Sequence, residues 1–214
     1  LALTISAFAI GTTEFVIVGL VPTIADQLSI SLPSAGLLVS IYALGVAIGA
    51  PVLTALTGRF PRKQLLMALM VLFTAGNILA WQAPDYTTLV IARLLTGLAH
   101  GVFFSIGSTI ATSLVPKEKA ASAIAIMFGG LTVALVTGVP LGTFIGQHFG
   151  WRETFLAVSL LGVIALVASL LLVPSTIPGR ASASLSEQLK VLTHPRLLLI
   201  YAVTALGYGG VFTA

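Results

Sequence analysis

Cysteine is absent from the 214 residues, which excludes a disulfide framework and a thiolate metal site. Charge is nearly absent as well. Ten Lys or Arg and six Asp or Glu make up 7% of the chain, where soluble domains carry roughly 25%. That composition lacks the polar surface of a dissolved globule, so a soluble enzyme, a nucleic-acid binder and a disordered tail are set aside. No phosphate-binding loop with its lysine is present, and neither is a His-Glu-x-x-His or Gly-x-Ser-x-Gly pattern, so no ATP-driven step, metal cofactor or hydrolytic activity is indicated. What remains is apolar: 57% of the residues are hydrophobic and the mean hydropathy is +1.11.

A membrane-spanning helix needs about 20 mostly apolar residues, because ~30 Å of hydrocarbon is crossed at 1.5 Å per residue. Charged or turn-forming breaks divide the sequence into six such runs: Leu1–Ile24, Ser34–Thr57, Leu65–Ala83, Thr87–Leu114, Ala121–Gln147 and Thr154–Val173. A seventh starts near Leu197 and is still apolar at Ala214. The pattern predicts an all-α integral membrane protein with a six-helix domain over 1–173. A linker follows over 174–195, where the capping box Ser184-Leu185-Ser186-Glu187 predicts a short interfacial helix. Residues 196–214 begin a further membrane domain. Both ends lie inside apolar runs, so the expectation is a piece of a longer protein, one six-helix unit and the start of a second.

Orientation follows from the basic residues in the loops. Arg59, Arg62, Lys63, Lys117, Lys119, Arg180, Lys190 and Arg196 collect on one side, Arg152 alone lies on the other, and Arg93 is inside a run. The eight-to-one bias predicts that the even loops and the N-terminal end are cytoplasmic. It also accounts for the basic balance of the chain without a nucleic-acid partner. Trp81 and Trp151 fall at run ends, where interfacial aromatic belts are expected.

Helices in a bilayer approach closely where small residues recur every four positions. The fifth run carries Gly130, Ala134, Gly138, Gly142 and Gly146 in one ridge, with Gly129 and Pro140 beside it. The fourth carries Gly97, Gly101, Ser105 and Thr109, and the second Gly45 and Gly49 next to Pro51. Such ridges suit helices that slide or bend against one another.

Charge inside the bilayer carries the functional signal. Insertion of an ionised side chain at the bilayer centre costs at least ~2.5–3.5 kcal/mol, so such groups face a partner or a cavity. Glu14 lies mid-run in Gly11-Thr12-Thr13-Glu14-Phe15, and Arg93 lies inside the fourth run with His100 seven residues on, hence on one helix face. Rise per residue puts Glu14 and His100 at a similar depth, roughly 15–20 Å below the surface opposite Leu1. Glu14, Arg93 and His100 are the candidate proton-coupling residues. The alternative is a buried ion pair or hydrogen bond that only locks the first helix to the fourth.

The loop Thr54-Ala55-Leu56-Thr57-Gly58-Arg59-Phe60-Pro61-Arg62-Lys63 resembles the signature between helices two and three of the major facilitator superfamily of secondary transporters. Gly58 replaces the usual aspartate, while the gating bases Arg59, Arg62 and Lys63 are kept. Arg93, Gly97 and Gly101 match its proton-coupling arginine signature, and Gly129, Gly138, Pro140 and Gly142 resemble its antiporter signature. Thr12-Thr13-Glu14-Phe15, Ala83-Pro84-Asp85-Tyr86 and His100 are most similar to bacterial drug:proton antiporters of the sugar-efflux and arabinose-efflux type. The resemblance implies one half of a twelve-helix fold, built of two three-helix inverted repeats, Leu1–Ala83 and Thr87–Val173. Helices one, two, four and five would line the cavity, with three and six behind. It further implies proton-gradient-driven efflux of sugars or drugs across the bacterial inner membrane. A nutrient-uptake symporter of the same fold is the alternative. Partners would be the substrate, protons, lipid and the absent second half. The substrate-cavity candidates are Thr13, Tyr42, Phe104 and Met127.

Overall fold

In hydrocarbon a backbone must satisfy its own hydrogen bonds, so each apolar run becomes one helix. The computed structural model describes residues 1–57, 60–175, 177 and 195–211. Among the described residues, six helices are long and apolar enough to cross a membrane: α1 (Ala2–Gln27), α2 (Leu32–Leu53), α3 (Arg62–Trp81), α4 (Tyr86–Ser113), α5 (Lys117–Phe149) and α6 (Trp151–Leu172). They match the six predicted runs, and all lie in one unit spanning 1–179. The helix α7 (Pro195–Val211) belongs to a second unit, 180–214. The predicted interfacial helix and Arg59 lie outside the described residues.

Local chemistry sets the helix ends. Ser29, at φ 51°, turns the chain after α1, and the Ile30 N–H returns to the Ala25 carbonyl in a Schellman-like closure. The Ser31 hydroxyl accepts from the Ser34 N–H to start α2. Asp85 accepts from the Thr88 N–H at 2.8 Å to start α4, and that bond holds its carboxyl below the usual aspartate value. Between α5 and α6 there is a single residue, Gly150, at φ 105° and ψ 147°, a region open essentially to glycine alone. The prolines of the two second-in-repeat helices stand at wider π turns. Pro51 lies within Gly49–Leu53, and Pro140 follows Ala134–Gly138. A missing N–H disturbs the regular helical ladder at each.

The helices contact one another in a pattern that survives exchange of the two repeats. α1 packs on α5 and α6, α4 packs on α2 and α3, and α3 packs on α6. The glycine ridges make the α1–α5 and α2–α4 contacts. Gly11 meets Ala134 and Gly138 meets Thr12, while Gly45 meets Gly97 and Gly49 meets Leu98. Residue numbers rise together along α1 and α5, and along α2 and α4, so each pair is parallel. A pair of basic clasps repeats the relation. Lys63, second in α3, donates to the Leu170 carbonyl at the end of α6 at 2.8 Å. Arg152, second in α6, donates to the Ala83 carbonyl just beyond α3, also at 2.8 Å. The antiparallel α3–α6 pair is thereby tied at both ends, and the two three-helix repeats are inverted.

The interior is layered along the helix axes. One apolar cluster contains Ala2 to Ile10 of α1, Leu65 to Phe73 of α3 and Ala99 to Ala111 of α4. The other contains Val16 to Ala25 of α1, Ala80 and Ala83 around the end of α3, and Leu89 and Ala92 of α4. Between them lies a polar layer. Thr12, Thr13, Asn77, Arg93 and Thr96 are all buried there, and Glu14 borders them.

Candidate functional site

Glu14 sits where this polar layer opens. Three residues before it, Gly11 lets α5 approach; three residues before His100, Gly97 lets α2 approach, so the two side chains occupy corresponding places in the two repeats. Glu14 Oε2 is 3.8 Å from His100 Nδ1, with the side chains 16% and 12% exposed respectively. Both are partly exposed, whereas Thr13, Tyr42 and Arg93 beside them are buried. The His100 Nδ1 is also 2.9 Å from the Tyr42 hydroxyl, which reaches it from α2. One ring nitrogen therefore has two rival partners. Bare, it accepts from the Tyr42 O–H; protonated, it can donate to the Glu14 carboxylate.

Arg93 lies behind this pair and is 1% exposed. Its guanidinium stacks over the Tyr42 ring, 4.1 Å from the centroid. Nη1 donates to the Thr13 carbonyl at 2.9 Å and Nε to the Leu38 carbonyl at 3.4 Å, while Nη2 is buried with no hydrogen-bond partner among the described residues. Arg93 thus joins α4 to α1 and α2 one residue away from Glu14. The Thr13 hydroxyl turns the other way and donates to Asn77 Oδ1 of α3 at 2.7 Å. Hydrogen bonds between membrane helices average about 0.6 kcal/mol, so this one contributes more to geometry than to stability. From His100 a run of rings leads outward. Phe104 lies 5.0 Å from His100 and Phe128 lies 4.9 Å from Phe104, centroid to centroid.

The sequence profile of the Major Facilitator Superfamily matches residues 3–214. The chain belongs to this superfamily. The chain is 56% identical over 212 residues to the MFS-type transporter YtbD of Bacillus subtilis (strain 168), covering 99% of this chain and 54% of that protein. It is 48% identical over 213 residues to the inner membrane transport protein YdhP of Escherichia coli (strain K12), covering 100% of this chain and 54% of that one. The chain therefore spans about half the length of the relatives it matches. The fold matches that of the proton:xylose symporter XylE with a TM-score of 0.71 at 17% identity, over 79% of this chain and 43% of that one. This superfamily chain is a multi-pass membrane protein, and its named relatives are transporters, not enzymes.

The superfamily fold brings Glu14, Arg93, His100 and Tyr42 to one place, yet it rearranges several expectations drawn from sequence. Met127 does not line a cavity: it is 1% exposed, inside the apolar cluster against Gly107. Thr13 is fully buried on Asn77, so it faces α3 and not substrate. Tyr42 is 2% exposed and serves as a partner to His100 and Arg93, while Phe104 remains half-buried beside His100. Lys63 caps α6, and Arg62, also half-buried, opens α3. Gly138 and Gly142 contact α1, but a methyl at Gly129 would meet nothing within 4 Å. Trp151 is fully buried against Phe155 and belongs to the core, not to an interfacial belt. The sequence reading missed the Asn77–Thr13 link; its signal was a carboxamide in the middle of an apolar run.

Proposed function

We propose that this chain is the N-terminal half of a proton-coupled secondary transporter of the bacterial inner membrane. In this reading it exports small molecules such as sugars or drugs by alternating access, and its Leu1 end is cytoplasmic. The observation carrying the reading is the Glu14–His100–Tyr42 cluster. An acid and an imidazole share one partly exposed spot at the boundary of a buried polar layer. A proton entering from the aqueous side binds Glu14. His100 takes or returns it through Nδ1, and rotation of the Tyr42 hydroxyl accommodates either state. Protonation neutralises the carboxylate and so changes which orientation of the two halves is favoured; substrate occupancy biases the same equilibrium the other way. Arg93 holds the site from behind, and the half-buried Phe104 offers an aromatic wall to cargo. The glycine ridges let α2 and α5, the least buried spans with α6 next, flex against α4 and α1.

The test uses the full-length protein in inverted vesicles with an imposed pH gradient, and ethidium and radiolabelled arabinose as probes. Wild type should accumulate at least one probe when the gradient is applied. Glu14→Gln should reduce that flux by about 100-fold or more, the size of a lost proton-transfer group. Gradient-driven flux of the substituted protein at the wild-type rate would overturn the proton role.

A further inference from the structure

One buried link between α1 and α3 has no part in the proposed transport cycle. Thr13 and Asn77 are both fully buried, in the middle of the polar layer, and joined across α1 and α3. The direction of the bond is fixed by chemistry. Asn77 Nδ2 donates to the Phe73 carbonyl at 2.9 Å, and a carbonyl can only accept. Oδ1 is therefore the atom turned toward Thr13, and the Thr13 hydroxyl must donate. Neighbouring buried hydroxyls behave differently. Ser6, Thr12, Thr74 and Thr96 bond back to carbonyls of their own helices. Thr13 gives its proton to another helix.

We propose that Asn77 and Thr13 are positioning residues that hold Glu14 in register with His100. This rests on the reading of Glu14 as the proton-carrying carboxylate. Residue 13 is gripped from two sides: its hydroxyl by Asn77 of α3, and its carbonyl by Arg93 of α4 at 2.9 Å. Two such grips on the side chain and main chain of one residue resist rotation of α1 about its axis. A rotation of about 20° would move a Cα, ~2.3 Å from the axis, by roughly 0.8 Å, and a carboxylate farther out by more. A shift of that order would bring the 3.8 Å gap between Glu14 and His100 to hydrogen-bonding distance or take the pair out of contact, depending on its sense. The ionisable groups gathered around Glu14 among the described residues are His100 and Arg93 of α4 and Tyr42 of α2. None of these three is itself replaced below, and the Thr13 carbonyl that Arg93 bonds is main chain and persists in every Thr13 variant.

The experiment is infrared pH-difference spectroscopy of the full-length protein in liposomes, with thermal unfolding measured alongside. The carboxyl band of Glu14 is identified by its loss in Glu14→Gln. Thr13→Val keeps the shape of the side chain and removes the donor, whereas Thr13→Ser keeps the donor. Thr13→Val should displace the Glu14 band and move its titration midpoint by about half a pH unit or more, a difference large enough to alter coupling. Thr13→Ser should restore both toward wild type. Asn77→Ala should repeat the Thr13→Val result, and it decides the matter if Thr13→Val does not fold. A lowered melting temperature with an unmoved Glu14 band would mean the link is merely structural and would overturn the proposal. The two readings fail separately: undiminished flux in Glu14→Gln removes the transport role, while the response of the band to Thr13→Val stands or falls by itself.

Discussion

Arg93→Ala is expected to lower the unfolding free energy by about 3–5 kcal/mol, the range for removing one member of a buried, hydrogen-bonded charge cluster. The guanidinium is 1% exposed, bonds the carbonyls of Thr13 and Leu38, and supports the Tyr42 ring. Truncation leaves a cavity in the polar layer where Arg93 joins α4 to α1 and α2. Two further variants separate charge from shape. Arg93→Lys keeps the cation but not the planar fork that reaches two helices, and should lose about 1–2 kcal/mol. Arg93→Met fills most of the volume without charge, and should be milder in stability than alanine while still losing transport. Denaturant titration of the purified protein measures all three. Equal stability of Arg93→Ala and wild type would remove Arg93 from the structural role assigned to it.

Gly97→Val is expected to cost about 3 kcal/mol or more and to disable transport. A Cβ at residue 97 would land on the main-chain carbonyl of Tyr42, which cannot turn aside as a side chain can. Gly45 and Gly49 face the same crossing, each with a Leu94 or Leu98 carbonyl 2.7 Å from where a methyl would sit. α2 and α4 would have to separate, and overpacking with backbone displacement lies at the upper end of small-to-large penalties. The same separation would draw the Tyr42 hydroxyl away from His100, 2.9 Å distant. Gly129→Ala is the control. Its methyl meets nothing within 4 Å, and alanine is the better helix former, so it should be neutral or stabilising by up to about 1 kcal/mol. Thermal unfolding of the pair in one detergent decides whether the glycine ridges are close-contact sites or only frequent residues.

The six spans were legible because hydrocarbon imposes a length and a composition that few other environments require. Glu14, Arg93 and His100 stood out for the same reason: charge in an apolar run is rare enough to be read directly. Side-chain direction was less accessible. Helical spacing places Thr13, Glu14 and Met127 inside the bundle but does not say which neighbour each faces. That depends on the rotation of each helix, which is set by contacts between distant glycines such as Gly11 with Ala134 and Gly138 with Thr12. So Met127 was expected at a cavity and lies in the core, and Thr13 was expected at substrate and lies on Asn77. Trp151 illustrates a related limit. Its place at a helix end suggests an interface, yet the one-residue turn at Gly150 folds it inward beneath Arg152, whose guanidinium lies 4.2 Å from the ring centroid.

In the proposed cycle, position 14 communicates with one aqueous compartment at a time. The absence of cysteine from this chain makes a direct measurement practical. Glu14→Cys is introduced into the full-length protein, with any cysteine elsewhere replaced by serine, and a membrane-impermeant maleimide is applied to one side of sealed vesicles and then the other. The label should be taken up from either side, with the faster side exchanging when a locking disulfide closes one face of the transporter. A position 14 that reacts only with a lipid-soluble reagent, or at the same rate from both sides in every locked state, would contradict the account.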